Sequence, residues 1–220
     1  MSIAALVDLI LLAVVVSVSP FPVIAMILVL FSPAALRNGT AFLVTVATVA
    51  LVVPAAVAFA VDASGDEAGG DGTSLKGWAL LVLGVLLLVL AGRNWSRRAS
   101  GKVPAVFDKI AEMGIVGVTT LAVGTTLLNP KNLVMYVSAG AALGALDLEV
   151  GPTAGLAAVF CIVSTLPLWA ALAYLAAGGA QARRRLGLLK DWLLHNNKAV
   201  MAAVLAVLGS IVIVNGLTAL

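Results

Sequence analysis

The chain has 220 residues, of which 62% are hydrophobic and only 10% charged, with a formal net charge of +3 and a mean hydropathy of +1.16. Apolar runs near 18 residues or longer read as bilayer crossings, and they are too long and too uniformly apolar for alternating barrel strands. Backbone pairing inside hydrocarbon then leaves helices, so the expected fold is an all-α integral membrane protein.

Six apolar blocks follow one another, at about 3–33, 39–61, 77–92, 110–146, 153–179 and 199–219. The first is long and is interrupted by Pro20 and Pro22 in "SVSPFPV", with Asp8 near its start. It has no Lys or Arg before Arg37, so it lacks the positive n-region of a signal peptide and reads as a mature membrane segment. The second block carries Pro54 in its second half, and an acidic, Gly-rich segment at 62–74 follows as a solvated loop. After the third block, residues 93–109 hold Arg93, Arg97, Arg98, Lys102 and Lys109.

The fourth block is again long. It starts beside Glu112 and is interrupted by "LLNPKNL" at Pro130. Its small-residue run "AGAALGA" over 139–145 lets helices approach closely. Asp147 and Glu149 mark the next turn, and the fifth block carries Pro167 and the single cysteine, Cys161, read as a packing residue. The basic segment 181–198 holds Arg183, Arg184, Arg185, Lys190 and Lys198. Within it Leu186, Leu189, Trp192 and Leu193 recur near helical spacing, which predicts a short interfacial helix over 184–195 with His195 on its polar edge. Trp78, Trp95, Trp169 and Trp192 read as interface anchors.

The positive-inside rule places both basic segments in the cytoplasm. Six spans then leave Arg37 inside and both termini extracytoplasmic, with only Lys76 and Lys131 off the cytoplasmic side. Cations beside span ends are accounted for by anionic lipid, so no nucleic-acid partner is expected. The halves of the chain also match in order. Pro20 pairs with Pro130, Pro54 with Pro167, and the "VLG" ending at Gly84 with the one ending at Gly209. Two inverted three-helix repeats, residues 1–92 and 110–220 joined by the basic linker 93–109, follow from this order.

Prolines at 20, 22 and 130 should break the first and fourth helices and release backbone groups, which hydrocarbon tolerates only if protein or a water-filled cavity satisfies them. The breaks are therefore expected to face inward. Ser17, Ser19, Asn129 and Asn132 add neutral hydrogen-bonding groups there, and Lys131 stands where the fourth helix restarts. A buried ammonium costs roughly 3 kcal/mol on insertion scales, which favours a role in binding or gating over snorkelling to an interface. Candidate substrate-binding residues are thus Ser19, Pro20, Pro22, Asn129, Pro130, Lys131 and Asn132. Pro54 and Pro167 are candidate hinges or plain kinks. Asp8 and Glu112 are candidate charge partners for Lys131, against the plainer reading of solvated residues near span ends.

One histidine, one cysteine, no carboxylates paired at helical spacing inside a span and no phosphate loop leave triads, metal centres and ATP hydrolysis without their raw material. Neither enzyme activity nor a cofactor nor a metal is expected.

These features resemble the lysine exporter (LysE) superfamily. The likeness rests on inverted triplets, "SPFP" in the first break and "NPKN" in the fourth. Within that superfamily, "LVLFSPAALRNGTAFLV", "LLNPKNLVMYVSAGAALG" and "WLLHNNKAVMAAVLAVLGSIVIVNGL" resemble the actinobacterial GAP/Sap group of glycolipid- or sulfolipid-addressing proteins. Where other superfamily members often show a Pro-Gly-Pro type turn, this chain has "SPFP". The resemblance implies export across the bacterial inner membrane of a cell-envelope glycolipid or lipid-linked precursor, and maps the family's break elements onto Pro20, Asn129, Pro130, Lys131 and Asn132. The expected partners are membrane lipids and a lipid or small-molecule substrate, with a homo-oligomer left open. An exporter of amino acids or small polar solutes, and a non-transporting accessory protein of a lipid-export machine, are the alternatives.

Overall fold

The computed structural model describes residues 3–63, 84–85, 87–96, 109–110, 112–146 and 148–218, and every regular element among them is helical. Most of the acidic loop, Lys76, Trp78, the start of the third apolar block, residues 97–108 of the basic linker and Asp147 lie outside the described residues. The helices are α1 (Ile3–Ser17), α2 (Pro20–Val29), α3 (Ala35–Ala63), α4 (Ile115–Leu127), α5 (Pro130–Gly144) and α6 (Val150–Thr218). A further helical stretch covers 87–96.

Four prolines test what breaks a helix here. Pro20 and Pro130 each open a new helix at its first turn, where the missing N–H is one the helix could not have paired anyway. The residue before each is extended, Ser19 at ψ 116° and Asn129 at ψ 107°, the conformation a following proline favours. Pro54 and Pro167 instead stay inside α3 and α6. The neighbours explain the difference. Asn129 caps the helix that follows it and Ser19 accepts a bond from Asn129, whereas Val53 and Leu166 carry no polar side chain, and an opened helix in apolar surroundings would strand its backbone groups.

α1 and α2 meet at a bend of 51°. The Ala35–Ala60 stretch of α3 has 26 residues, roughly 39 Å at 1.5 Å per residue, enough to cross a hydrocarbon core of about 30 Å. With 13 and 15 residues, α4 and α5 reach only about 20 and 22 Å each. Among the described residues, two helices can cross a membrane by length and composition, or three if the bent α1–α2 pair counts as one span. This is an all-helical membrane protein.

α6 departs from expectation. A loop carrying a short helix was predicted between the fifth and sixth blocks, but the helical run continues through it, interrupted only where Gly179 takes φ 50° and ψ −130°. Glycine alone enters that region without strain, so a single residue makes the kink. Beyond it the sequence through Leu194 is dominated by Ala, Arg, Leu and Lys, good helix formers, and the helix continues.

The chain divides into two compact units, residues 1–63 with 103–194 and residues 64–102 with 195–220. In the first, α3 packs on α4 and α5, while α1 lies on α5 and α2 on α4. Its core gathers Ile24, Met26, Leu30, Phe42, Leu43, Ile110, Leu168 and Leu186. Leu186 and Leu193 of the predicted interfacial helix belong to this core, while Leu189 and Trp192 are exposed. Arg183 donates to the carbonyl of Leu30 at 3.2 Å beyond the end of α2 and stacks over the Phe31 ring at 5.4 Å, placing a cation at the negative end of that helix. In the second unit, Gly84 and Gly209 face each other. A Cβ on either would stand 3.0 Å from the other's carbonyl oxygen.

Candidate functional site: two helix breaks in contact

The first break works through its carbonyls. Pro20 and Pro22 have no N–H to give to Val16 and Val18, so the last turn of α1 rearranges. Val18 N–H donates to Val14 O at 3.2 Å, but Ser19 N–H reaches Val16 O at 3.0 Å instead of Val15 O. Val15 O thereby loses the donor that a continuing helix would have supplied. The Lys131 ammonium takes its place, donating to Val15 O at 2.8 Å across 116 residues of sequence.

The second break works through its amides. Asn129 is the N-cap of α5, and its Oδ1 accepts from the Lys131 backbone N–H at 3.1 Å. Its Nδ2 donates to Ser19 Oγ at 3.3 Å. One asparagine thus closes its own helix and ties it to the other break. Ser19 provides no side-chain cap for α2, whose third residue, Pro22, has no N–H to offer, and its hydroxyl accepts in this tie. All four polar residues are out of solvent, with exposures of 1% for Ser19, 8% for Asn129, 2% for Lys131 and 1% for Asn132.

The electrostatics follow from the helix ends. The ammonium sits at the C-terminal end of α1, where the aligned peptide dipoles place negative charge, although the residue belongs to the first turn of α5, whose positive end would repel it. No described carboxylate pairs with it. Asp8 and Glu112 are both exposed and take no part in the site. Asn132 Oδ1 is buried with no hydrogen-bond partner, an acceptor left open beside a cation that uses one of its three donors.

Pro20 and Pro22 are buried at the start of α2, and Pro130 opens α5. Pro54 lies elsewhere in the packing, buried in α3 against α5, where a Cβ on Gly140 would meet Pro54 O at 2.5 Å. Pro167 is half-buried; beside it, Thr165 Oγ donates back to Cys161 O at 2.6 Å, and Cys161 Sγ donates to Ala47 O of α3 at 3.2 Å. Two polar features escaped the sequence reading. One is the role of Val15, which is invisible in a side-chain pattern because the backbone plays it. The other is Asn38, 2% exposed, whose Nδ2 donates to Ser32 Oγ at 3.2 Å and Met113 O at 3.3 Å; an asparagine at the head of an apolar helix was its only signal.

No curated protein and no solved structure matches the chain significantly. A family profile described as Sap, sulfolipid-1-addressing protein, matches residues 9–218, a stretch that contains both breaks and every contact between them. The chain therefore belongs to the Sap, sulfolipid-1-addressing protein, family.

Proposed function

We propose that this protein is an inner-membrane translocator that exports a cell-envelope glycolipid or lipid-linked precursor, with its substrate site at the paired helix breaks. Family membership points toward lipid export. The observation that carries the assignment to this site is the buried Lys131, held by Val15 O and flanked by the Asn129–Ser19 tie. A buried cation that pairs with no described carboxylate is expensive in a membrane and marks a place where charge is handled.

The architecture proposed with it has six spans in two inverted three-helix repeats of the LysE type, with both termini extracytoplasmic. Supporting it, equivalent positions touch within each unit. Ser19 and Asn129 are 110 residues apart, the offset that also separates Pro20 from Pro130. Gly84 and Gly209, the matched ends of the two "VLG" runs, approach each other reciprocally. Two-fold-related elements place residues near the axis against their own equivalents. The cross-packing of α1 on α5 and α2 on α4 is what two broken helices running in opposite directions produce. Thiol labelling of Arg37→Cys and Ala68→Cys in a Cys161→Ser background tests the orientation: an impermeant reagent should reach only residue 68 from outside. Arg37 is exposed whereas Asn38 is buried, so residue 37 is the position to probe.

A second reading, the accessory protein, draws on the same contact. An ammonium that caps a stranded carbonyl already has a structural task. Envelope lipids and amino-acid efflux should be measured in cells lacking the protein and complemented with the wild type or with Lys131→Met. Loss of a surface lipid with Lys131→Met supports export at this site. Loss of amino-acid efflux alone moves the substrate to small solutes, and no change in either overturns the proposal. Lipid transfer by the purified wild type in liposomes separates translocator from accessory protein.

A further inference from the structure

Around the two breaks, hydrogen-bonding capacity is unevenly spent. Lys131 Nζ has three N–H donors, and one of them meets Val15 O. The Ser19 hydroxyl accepts from Asn129 and keeps its own hydrogen to donate. Against this surplus of donors stands one orphan acceptor, Asn132 Oδ1, in the same first turn of α5. A buried polar atom without a partner costs stability and calls for an explanation. A site with excess donors around a cation and one open acceptor is complementary to an anionic group that carries a hydrogen-bond donor beside it.

Lys131 is bonded to a main-chain oxygen, which no substitution can remove and which bears no full charge. A carboxylate partner would hold the ammonium more tightly, because it adds the attraction of a second full charge, which a low dielectric strengthens. Nothing described competes with an incoming anion for Lys131 except one carbonyl. That carbonyl is the one the first break has stripped of its normal donor.

We propose that Lys131 is a transferable contact, seated on Val15 O while the site is empty and passed to the anionic headgroup of a substrate that carries phosphate, sulfate or carboxylate, with Asn132 Oδ1 accepting from a neighbouring hydroxyl or amine. This rests on the translocator reading above. When the ammonium leaves Val15 O, one of the two hydrogen bonds that join the breaks is cut while Asn129 stays on Ser19, so occupancy of the site loosens the first broken helix from the second. Ligand recognition and release of the α1–α5 contact are then one event.

The test uses the full chain in phosphatidylcholine nanodiscs, in a Cys161→Ser background, with spin labels at the exposed positions Leu11 on α1 and Leu133 on α5. The probes are a sulfated galactosylceramide, its uncharged parent, inorganic sulfate and L-alanine. Binding is followed by native mass spectrometry and the α1–α5 distance by pulsed electron resonance. The sulfated lipid is expected to bind at least about tenfold better than its uncharged parent, the worth of a charge-assisted hydrogen bond, and to lengthen the distance. Lys131→Met should abolish that preference and show the lengthened distance without ligand. Lys131→Arg, which keeps the cation, should retain the preference and serves as the folding control.

A sulfated lipid that binds with no change in distance overturns the transfer and leaves the translocator reading standing. A distance change produced by L-alanine or inorganic sulfate, and not by the lipid, keeps the transfer and assigns the anion to a free solute. Equal binding of charged and uncharged lipids overturns Lys131 as the recognising group.

Discussion

The two breaks share a backbone plan: an extended polar residue, then a proline opening a new helix. They differ in what the side chains give and take. The second break spends Asn129 twice, on its own α5 and on Ser19, and adds Lys131 for Val15 O. The first break contributes acceptors only, a hydroxyl and a stranded carbonyl. Where Lys131 stands in "NPKN", the corresponding residue of "SPFP" is Phe21, at the same 110-residue offset. Had both carried lysine, two buried ammoniums would stand at the same contact, a repulsion that a low dielectric makes severe. Two breaks of one backbone plan can place a single charge at their contact only by differing there, and the difference gives the contact a direction, with one break donating and the other receiving.

The sharpest way to break this comparison is to disturb the donor half. Gly140 fixes α5 against α3 at a point where an added Cβ would stand 2.5 Å from Pro54 O and 2.6 Å from Val57 Cβ. A backbone oxygen cannot rotate away, so Gly140→Ala should lower stability by about 1–3 kcal/mol, the usual cost of overpacking, read as a fall in thermal midpoint in detergent. The receiving half offers the contrast. A Cβ on Gly39 would meet Leu30 Cδ2 at 2.6 Å, the mobile end of a side chain that can change rotamer. Gly39→Ala should therefore cost clearly less. Equal losses would mean that the backbone around Gly140 yields as readily as the side chains around Gly39.

Next in size is the cap. Asn129→Ala removes the bond to Lys131 N–H and the donor to Ser19 together, and an N-cap alone is worth about 1 kcal/mol. Its loss should exceed that of Ser19→Ala, because Ser19 caps nothing in α2. Both are measurable by denaturant titration in mixed micelles. A larger loss for Ser19→Ala would reverse the assignment of donor and receiver.

How far the sequence carries can be judged residue by residue. The positions of both breaks were legible, because proline lacks a donor and Ser19 and Asn129 precede it in an apolar setting. That Lys131 would be buried was legible from its depth in the fourth block. Its partner was not. Asp8 and Glu112 were the charges in view, and the structure gives the ammonium to Val15 O. That carbonyl becomes free only because Ser19 N–H shifts by one residue to Val16 O, a choice made by local backbone geometry that leaves no mark in residue types. The continuity of α6 was hidden for a similar reason: whether a Gly-Gly pair makes a loop or a single-residue kink depends on one φ angle, at Gly179. Gly140 was legible as a small residue and not as a contact, since periodicity says which face packs but not against what.

The smallest effect bears most directly on the link between the halves. A double-mutant cycle on Ser19→Ala and Asn129→Ala isolates the 3.3 Å bond between them from the capping that Asn129 performs alone, because capping is lost equally whether or not Ser19 is present. Side-chain hydrogen bonds between membrane helices average about 0.6 kcal/mol in such cycles, and this one, between a neutral amide and a hydroxyl, should fall near that value. The cycle repeated in Lys131→Met sharpens it further. If Lys131 on Val15 O and Asn129 on Ser19 hold the same pair of helices together, loss of the first leaves the second less constrained, and the coupling energy should shrink. A coupling that stays the same would mean that each bond is positioned by its own helix, and that the two breaks touch without acting as a unit.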